Sequence, residues 1–175
     1  MITEAEAAKV LGIADPPMKL FVLVGLTYGT RISEALNMTF GDIDSEWVRI
    51  KGLKGGKTQN YPVTDQVAAA CRRLKEEYGA VEETTPLFLG KCSRERSMSR
   101  QNLSQKIKRL FKEAGLDGKV NSHSLRKAFV TAIYNKTGKD LAQTRIYSRH
   151  TSLTSLQYYI ETSSDTGLVK DLSWT

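Results

Sequence analysis

Both histidines of the chain lie in its last third, and each has an arginine close by in sequence. His123 precedes Arg126 by three residues, so on a helix that starts near His123 the two side chains project from the same side. An imidazole and a guanidinium placed in this way can hold a phosphate together, the guanidinium through two parallel hydrogen bonds. A surface histidine beside a salt-bridged arginine is the alternative, and taken alone the pair favours that alternative.

Two further basic residues, Arg31 and Lys54, lie in segments where their side chains could serve a functional site. Arg31 opens a predicted helix whose apolar neighbours place it near the core, and Glu34, three residues on, is its local partner. Lys54 lies in a glycine-rich turn, which can swing a long side chain over a ligand. An ion pair at a helix start and a lysine that solubilises a hairpin are the simpler explanations of each residue by itself.

A pair of tyrosines, Tyr158 and Tyr159, follows His150 at a distance of eight and nine residues. The usual explanation for such a pair is that the rings fill a core.

The net charge of the chain is concentrated in one stretch. The chain has 26 basic and 19 acidic residues, and its net charge is +7. Between Lys91 and Lys112 there are eight cations and one anion. The net charge of this stretch therefore equals the net charge of the whole chain. Such a block attracts polyanions, nucleic acid first among them, although a solvated basic face is equally consistent with charge alone. The cations of this basic block are Lys91, Arg94, Arg96, Arg100, Lys106, Lys108, Arg109 and Lys112.

Length and composition exclude several classes of protein. A chain of 175 residues, 40% hydrophobic and 26% charged, is typical of a single globular domain. The longest apolar run, Phe21 to Leu26, is too short to span a bilayer, and no secretory leader is expected because polar Thr3 and Glu4 follow closely on Met1. Two cysteines make no disulfide framework, which indicates a reducing, cytoplasmic setting. The histidines and cysteines lack metal-ligand spacing, so no metal site is predicted.

The elements that must position these residues are mostly helices. Asp15-Pro16-Pro17 separates two N-terminal helices, and the second, around 18–27, is apolar on nearly every side and therefore buried. The segments 47–50 and 60–63 predict a small antiparallel sheet. Further predicted helices cover 31–38, 67–78, 103–114, 123–136 with Ser122 as cap, 139–147 and 153–160. The predicted fold class is α+β, mainly helical.

In this order, the residues resemble the catalytic signature of the tyrosine recombinase (phage integrase) family. The run Tyr-Gly-Thr-Arg-Ile-Ser-Glu-Ala-Leu at 28–36 is similar to the family's first arginine box, and His-Ser-Leu-Arg at 123–126 to its second. Lys54-Gly55-Gly56-Lys57 resembles the lysine hairpin, in which Lys54 rather than Lys57 has the spacing of the active lysine. Tyr159, nine residues after His150, stands at the position of the family's nucleophile. The six catalytic positions implied are Arg31, Lys54, His123, Arg126, His150 and Tyr159.

One segment departs from the family pattern. Ser148-Arg149-His150 stands where the family usually has Leu-Gly-His, which keeps the histidine and alters the turn that leads to it. The resemblance otherwise covers the chain from Thr3 to Ile160, and it uses both histidines that the chain has.

The resemblance also implies a role for each catalytic residue. Tyr159 attacks the phosphodiester with His123 as general base, and the two arginines, Arg31 and Arg126, stabilise the charge of the pentavalent transition state. Lys54 protonates the leaving 5′-oxygen, and His150 donates a further hydrogen bond to the phosphate. Glu34 holds Arg31 or a neighbouring group in place, and the 3′-phosphotyrosyl link conserves bond energy, so no cofactor is expected.

The partner implied is double-stranded DNA, with Lys57 and the basic block along its backbone and no membrane contact. The chain is expected to be a single catalytic domain over 1–175, without the family's N-terminal core-binding domain, a monomer when free and a tetramer on DNA. The tail, 161–175, is expected to pack in cis or to be exchanged with a neighbour. A cytoplasmic, nucleoid-associated protein of a prokaryote or virus is expected.

Two other functions are compatible with these residues. A type IB topoisomerase or telomere resolvase shares the chemistry of this site and differs in its product. A DNA-binding regulator that keeps the fold without catalysis would form no covalent link with DNA.

Overall fold

The computed structural model describes residues 2–53, 58–90, 93–116 and 120–161, without the side chains of residues 93, 94, 158, 159 and 161. Lys54, Lys57, Lys91 and the tail after residue 161 therefore lie outside the part described. In chain order the elements are α1 Glu4–Ile13, α2 Pro16–Tyr28, α3 Ile32–Leu36, a 3₁₀ turn Phe40–Asp42, β1 Trp47–Ile50, β2 Gln59–Pro62, α4 Asp65–Tyr78, β3 Leu89–Gly90, β4 Ser93–Ser97, α5 Arg100–Glu113, α6 Ser122–Lys136, α7 Leu141–Ser148 and α8 Leu153–Glu161.

The mainly helical fold predicted from the sequence is confirmed, together with the sheet near residues 47–63. Strands β1 and β2 pair antiparallel, with Trp47 opposite Pro62 and Ile50 opposite Gln59. A second antiparallel pair, β3 with β4, was not predicted. Its longer strand is Ser-Arg-Glu-Arg-Ser, which has no apolar residue to mark a buried face.

Helix α2 is the centre of the hydrophobic core. Asp15 caps it by accepting a hydrogen bond from the Met18 backbone N–H at 2.9 Å, and two prolines occupy its first turn. Side chains on all sides of the helix are buried, and the Phe21 ring meets Phe88 edge-on with centroids 5.8 Å apart. The sequence prediction that this helix is buried rather than amphipathic is confirmed.

Two glycines let the end of helix α2 approach helix α6 closely. A Cβ atom at Gly25 would lie 2.9 Å from the Cδ1 atom of Leu125, and one at Gly29 would lie 2.3 Å from the Cδ1 atom of Phe129. Gly29 also ends helix α2 with φ 63°, a left-handed conformation that favours glycine. Because the two glycines are one helical turn apart, they form a groove into which helix α6 fits.

The chain divides into two compact units, residues 1–129 and 130–175. The first contains α1 to α5, both sheets and the beginning of α6. The second contains the end of α6 with α7 and α8, and α7 packs on α8. None of the helices within the described ranges has the length and hydrophobicity needed to cross a membrane.

Several predicted helix boundaries differ from the observed ones, and for three of them the structure shows a local cause. Helix α3 spans only five residues because Asn37 ends it. Helix α6 begins one residue earlier than predicted, since the Asn121 side chain, rather than that of Ser122, accepts the His123 backbone N–H at 2.9 Å. Helix α7 begins at Leu141 because Gly138 and Lys139 both have positive φ, and Asp140 then caps the helix.

We expect Gly25→Ala and Gly29→Ala to lower the free energy of unfolding. Overpacking against Leu125 should cost about 1–3 kcal/mol, and Gly29→Ala should cost more because its left-handed backbone adds about 1–2 kcal/mol of strain. Urea denaturation measures both effects.

Gly12→Ala is the matched control, because a Cβ atom at Gly12 meets nothing within 4 Å. It should be neutral, or stabilising by up to about 1 kcal/mol since it lies in helix α1. Equal stability of the Gly12, Gly25 and Gly29 variants would contradict the close helix contact.

Candidate functional site

Arg31 and Glu34 form a clamp at the start of helix α3. The Glu34 carboxylate is buried, at 3% exposure, whereas the Arg31 side chain is 41% exposed. One carboxylate oxygen accepts the Arg31 backbone N–H at 2.7 Å, and the other accepts the guanidinium Nη1 at 2.8 Å. The clamp therefore fixes both the backbone and the guanidinium of Arg31, while the side chain as a whole stays partly exposed.

Arg126, on the second turn of helix α6, is 3% exposed. Its guanidinium Nη1 donates a hydrogen bond to the backbone carbonyl of Gly29. Burying a guanidinium is costly unless its N–H groups are hydrogen-bonded, so this carbonyl stabilises the charge in place. The carbonyl belongs to the turn that joins helix α2 to helix α3.

The two arginines thus lie beside one turn of the chain. Gly29, which accepts from Arg126, lies two residues before Arg31, although the arginines are 95 positions apart in the sequence. The packing of Leu125 and Phe129 on Gly25 and Gly29 holds the same two segments together. Two guanidiniums beside one turn can bind the oxygens of a single phosphate.

His123 lies in the first turn of helix α6 and is exposed. The Asn121 side chain accepts the His123 backbone N–H, and the Ser124 hydroxyl accepts the Asn121 backbone N–H at 3.1 Å. These reciprocal bonds fix the start of the helix. The imidazole is therefore accessible, one turn before the buried Arg126.

Tyr28 ties the lysine hairpin to the first arginine box. Its hydroxyl donates to the Pro62 carbonyl at 3.0 Å and accepts the Thr64 backbone N–H at 3.2 Å, and its ring packs against Tyr61. Burial raises the pKa of the Tyr28 hydroxyl, so this group keeps its proton at neutral pH. Lys54, in the loop between the two strands, lies outside the described residues.

The second unit contains the other predicted histidine and the helix of the predicted nucleophile. His150 is half-buried, and its Nδ1 atom lies 2.7 Å from the hydroxyl of the fully buried Ser148. The backbone of Tyr158 and Tyr159 belongs to helix α8. Within the described residues, no group of three or more His, Cys, Asp or Glu side chains is placed to hold a metal ion.

Helix α5 carries most of the described part of the basic block. Apolar residues such as Leu103 and Ile107 are buried on one side of it, as its helical spacing predicted. Arg109 donates to the Glu113 carboxylate at 2.8 Å, which neutralises one of the cations. The exposed cations of the block are Arg96, Arg100, Lys106, Lys108, Arg109 and Lys112, while the side chain of Arg94 is not described.

The sequence analysis assigned no role to three residues that matter to this geometry. Gly25 and Tyr28 contact segments far along the chain, and the motif that begins at Tyr28 does not predict that contact. Ser148 could have been recognised from the sequence, because it places a hydroxyl group two residues before His150 where the family usually has leucine.

The chain matches the model of the phage integrase family over residues 1–165. The chain belongs to the phage integrase family. The resemblance seen in the sequence is thereby confirmed at the level of the family.

Curated relatives include the tyrosine recombinase XerD of Corynebacterium glutamicum, 32% identical over 148 residues, which are 82% of this chain and 48% of the relative. XerD of Bifidobacterium longum is 29% identical over 92% of this chain and 56% of its own length. The chain therefore spans about half the length of the curated relatives it matches.

Solved structures give the same fold. The XerA recombinase superposes with a TM-score of 0.78 and 23% identity, covering 97% of this chain and 60% of that one. The XerH recombinase bound to palindromic difH substrate in a post-cleavage complex has a TM-score of 0.72 and 21% identity, covering 97% of this chain and 51% of that one. The predicted recombinase catalytic-domain fold is confirmed.

We expect Tyr28→Phe to lower the free energy of unfolding by about 1–3 kcal/mol, because it leaves the Thr64 N–H and the Pro62 carbonyl without this partner. The variant keeps the ring contact with Tyr61, so only the hydroxyl is tested. Urea denaturation checks the change.

Tyr134→Phe makes the same chemical change on a half-buried ring of helix α6. It should change the free energy of unfolding by less than about 0.5 kcal/mol. A Tyr28→Phe variant as stable as this control would mean that the two hydrogen bonds do not hold the hairpin.

Proposed function

We propose that the chain is the catalytic part of a site-specific DNA recombinase, which cleaves and rejoins DNA through a 3′-phosphotyrosyl intermediate. The observation that supports it best is the hydrogen bond from Arg126 to the Gly29 carbonyl. It links the second arginine box to the first, in a chain that belongs to the phage integrase family.

In the proposed reaction, the guanidiniums of Arg31 and Arg126 bind the non-bridging oxygens of the phosphate that is cleaved. Charge on those oxygens grows in the pentavalent transition state, and cations fixed beforehand stabilise it without reorganising. The Glu34 clamp and the Gly29 carbonyl already hold the two side chains in the free protein. This preorganisation favours the transition state over the ground state.

The proposed nucleophile is the Tyr159 hydroxyl. A phenol with a pKa of about 10 is mostly protonated at neutral pH, so a base must remove its proton during attack. His123 is the proposed base, and its exposure leaves the imidazole accessible to a partner group. The attack forms the bond from the tyrosine oxygen to phosphorus and breaks the bond from phosphorus to the 5′-oxygen.

The leaving 5′-oxygen needs a proton, and Lys54 is the proposed donor. His150 is proposed to donate a hydrogen bond to the phosphate through Nε2. When the Ser148 hydroxyl donates to Nδ1, a neutral ring carries its proton on Nε2, which is the form that this role requires. Attack of a 5′-hydroxyl on the phosphotyrosine reverses the step, so the exchange needs neither ATP nor a metal.

The proposed partner is double-stranded DNA along the basic block, with Lys57 near the cleavage point. We propose a single catalytic domain over 1–175 that is monomeric when free and forms a tetramer on DNA, assisted by the tail at 161–175 in cis or on a neighbour. Its substrate would be chromosomal or mobile-element DNA in the bacterial cytoplasm.

The proposal predicts covalent trapping on a nicked suicide duplex made from the DNA that flanks its gene. The wild type should form a protein–DNA adduct that survives denaturation, and Tyr159→Phe should abolish the adduct because it removes the nucleophilic oxygen. Denaturing gel electrophoresis of labelled DNA measures it.

Tyr158→Phe is the matched control, since it removes a hydroxyl one residue away and should keep the adduct. Loss of the adduct in this variant instead would move the nucleophile to Tyr158. A non-catalytic regulator would bind the duplex without any adduct, and relaxed plasmid or hairpin ends would identify a topoisomerase or a resolvase.

The basic block predicts that duplex binding weakens steeply with salt. Each phosphate contact that is lost should lower the slope of log K against log salt by about 0.9. Lys106→Ala and Lys108→Ala should each reduce the slope, measured by fluorescence anisotropy, whereas Lys9→Ala on helix α1 should not. A flat salt response of the wild type would exclude this surface as the DNA contact.

A further inference from the structure

Arg149 has a backbone conformation that arginine rarely adopts. It ends helix α7 with φ 57° and ψ 33°, and its backbone N–H donates to the Ile146 carbonyl. This left-handed conformation is open to glycine and costs other residues about 1–2 kcal/mol. The family usually has glycine at this point of its Leu-Gly-His segment, so this chain carries an arginine where the backbone favours glycine.

The side chain of Arg149 is partly enclosed by the protein. The residue is half-buried, and its Nε atom is closed off from solvent. On either side of it in the chain, Ser148 and His150 are joined by the 2.7 Å contact between hydroxyl and ring. The Nε atom of the guanidinium is therefore enclosed by the protein, in the residue that directly precedes the histidine proposed to contact the phosphate.

The surrounding segment is electropositive. Between residues 136 and 150 there are four cations and one anion, Asp140. The Asp140 carboxylate accepts the backbone N–H groups of Ala142 and Gln143 at 2.8 and 3.0 Å, so it is engaged in capping helix α7. The positive charge of residues 136–150 is additional to that of the basic block at 91–112, and it also attracts polyanions.

We propose that Arg149 is a further substrate-binding residue, whose guanidinium binds a DNA backbone phosphate at or next to the cleavage point. The inference rests on the proposed function of His150. The planar guanidinium forms two parallel hydrogen bonds with phosphate oxygens, which glycine cannot replace. This contact offsets the conformational cost of arginine at a glycine-favouring position.

The decisive comparison is Arg149→Gly, because it should move stability and activity in opposite directions. The glycine variant relieves the left-handed strain, so the melting temperature should stay the same or rise. Cleavage of the suicide duplex at saturating DNA should fall by about 10- to 100-fold, as expected for the loss of a hydrogen bond between charged groups. Arg149→Asn, a change to a neutral residue that tolerates this conformation, should behave in the same way.

A methylphosphonate scan locates the phosphate. Each phosphate near the cleavage point is replaced in turn by a neutral methylphosphonate, and cleavage or affinity is measured with the wild type and with Arg149→Gly. At the phosphate that Arg149 binds, the replacement should weaken the wild type and leave the variant unchanged. Other phosphates should affect both proteins equally.

Three results would overturn the proposal. The first is Arg149→Gly cleaving within two-fold of the wild type. The second is a fall of more than about 5 °C in the melting temperature of both the Gly and Asn variants, which would assign Arg149 a structural role. The third is a scan in which every phosphate affects the wild type and the variant equally.

The failure of the proposed function would look different. In that case the wild type would form no adduct, and affinity for the intact duplex would decide the role of Arg149. A loss of five-fold or more in Arg149→Gly would support the phosphate contact, whereas an unchanged affinity would overturn it.

Discussion

The close approach of helices α2 and α6 is the contact on which the arginine pair depends. Gly25 and Gly29 leave room for Leu125 and Phe129, and this packing brings Arg126 within hydrogen-bonding distance of the Gly29 carbonyl. A Cβ atom at either glycine would overlap the Leu125 or Phe129 side chain, so these parts of the contact would have to shift. The position of Arg126 thus depends on an apolar contact in which Gly25 and Gly29 have no side chains.

The charges at this contact are held by bonds that need no ligand. Glu34 is buried and accepts from both the backbone and the guanidinium of Arg31, and Arg126 is buried against a carbonyl. Buried charges that lack such partners would be costly, so these bonds are a condition of folding. In the proposed reaction these bonds would also preorganise the site, because the cations are in place before a phosphate binds. Stability and the proposed catalysis therefore use the same hydrogen bonds.

Other parts of the chain are positioned by single hydroxyl groups. Tyr28 holds the second strand of the lysine hairpin, and Ser148 contacts the ring of His150. Each contact depends on one hydroxyl group, and such a hydrogen bond contributes about 1 kcal/mol to stability. Arg149, the residue after Ser148, has a left-handed backbone conformation that arginine disfavours. Such strained residues are typical of functional sites.

The sequence by itself determined the family, the order of the helices, the first sheet and the candidate catalytic residues, because motif spacing and hydrophobic periodicity are local properties. The tertiary structure decided that Arg31 and Arg126, 95 positions apart, share one turn, and that Tyr28 joins the hairpin to the arginine box. It also decided the polar strand pair β3 and β4 and the left-handed Arg149. These features depend on contacts between distant segments, and the pairing of distant segments leaves no periodic pattern in either one.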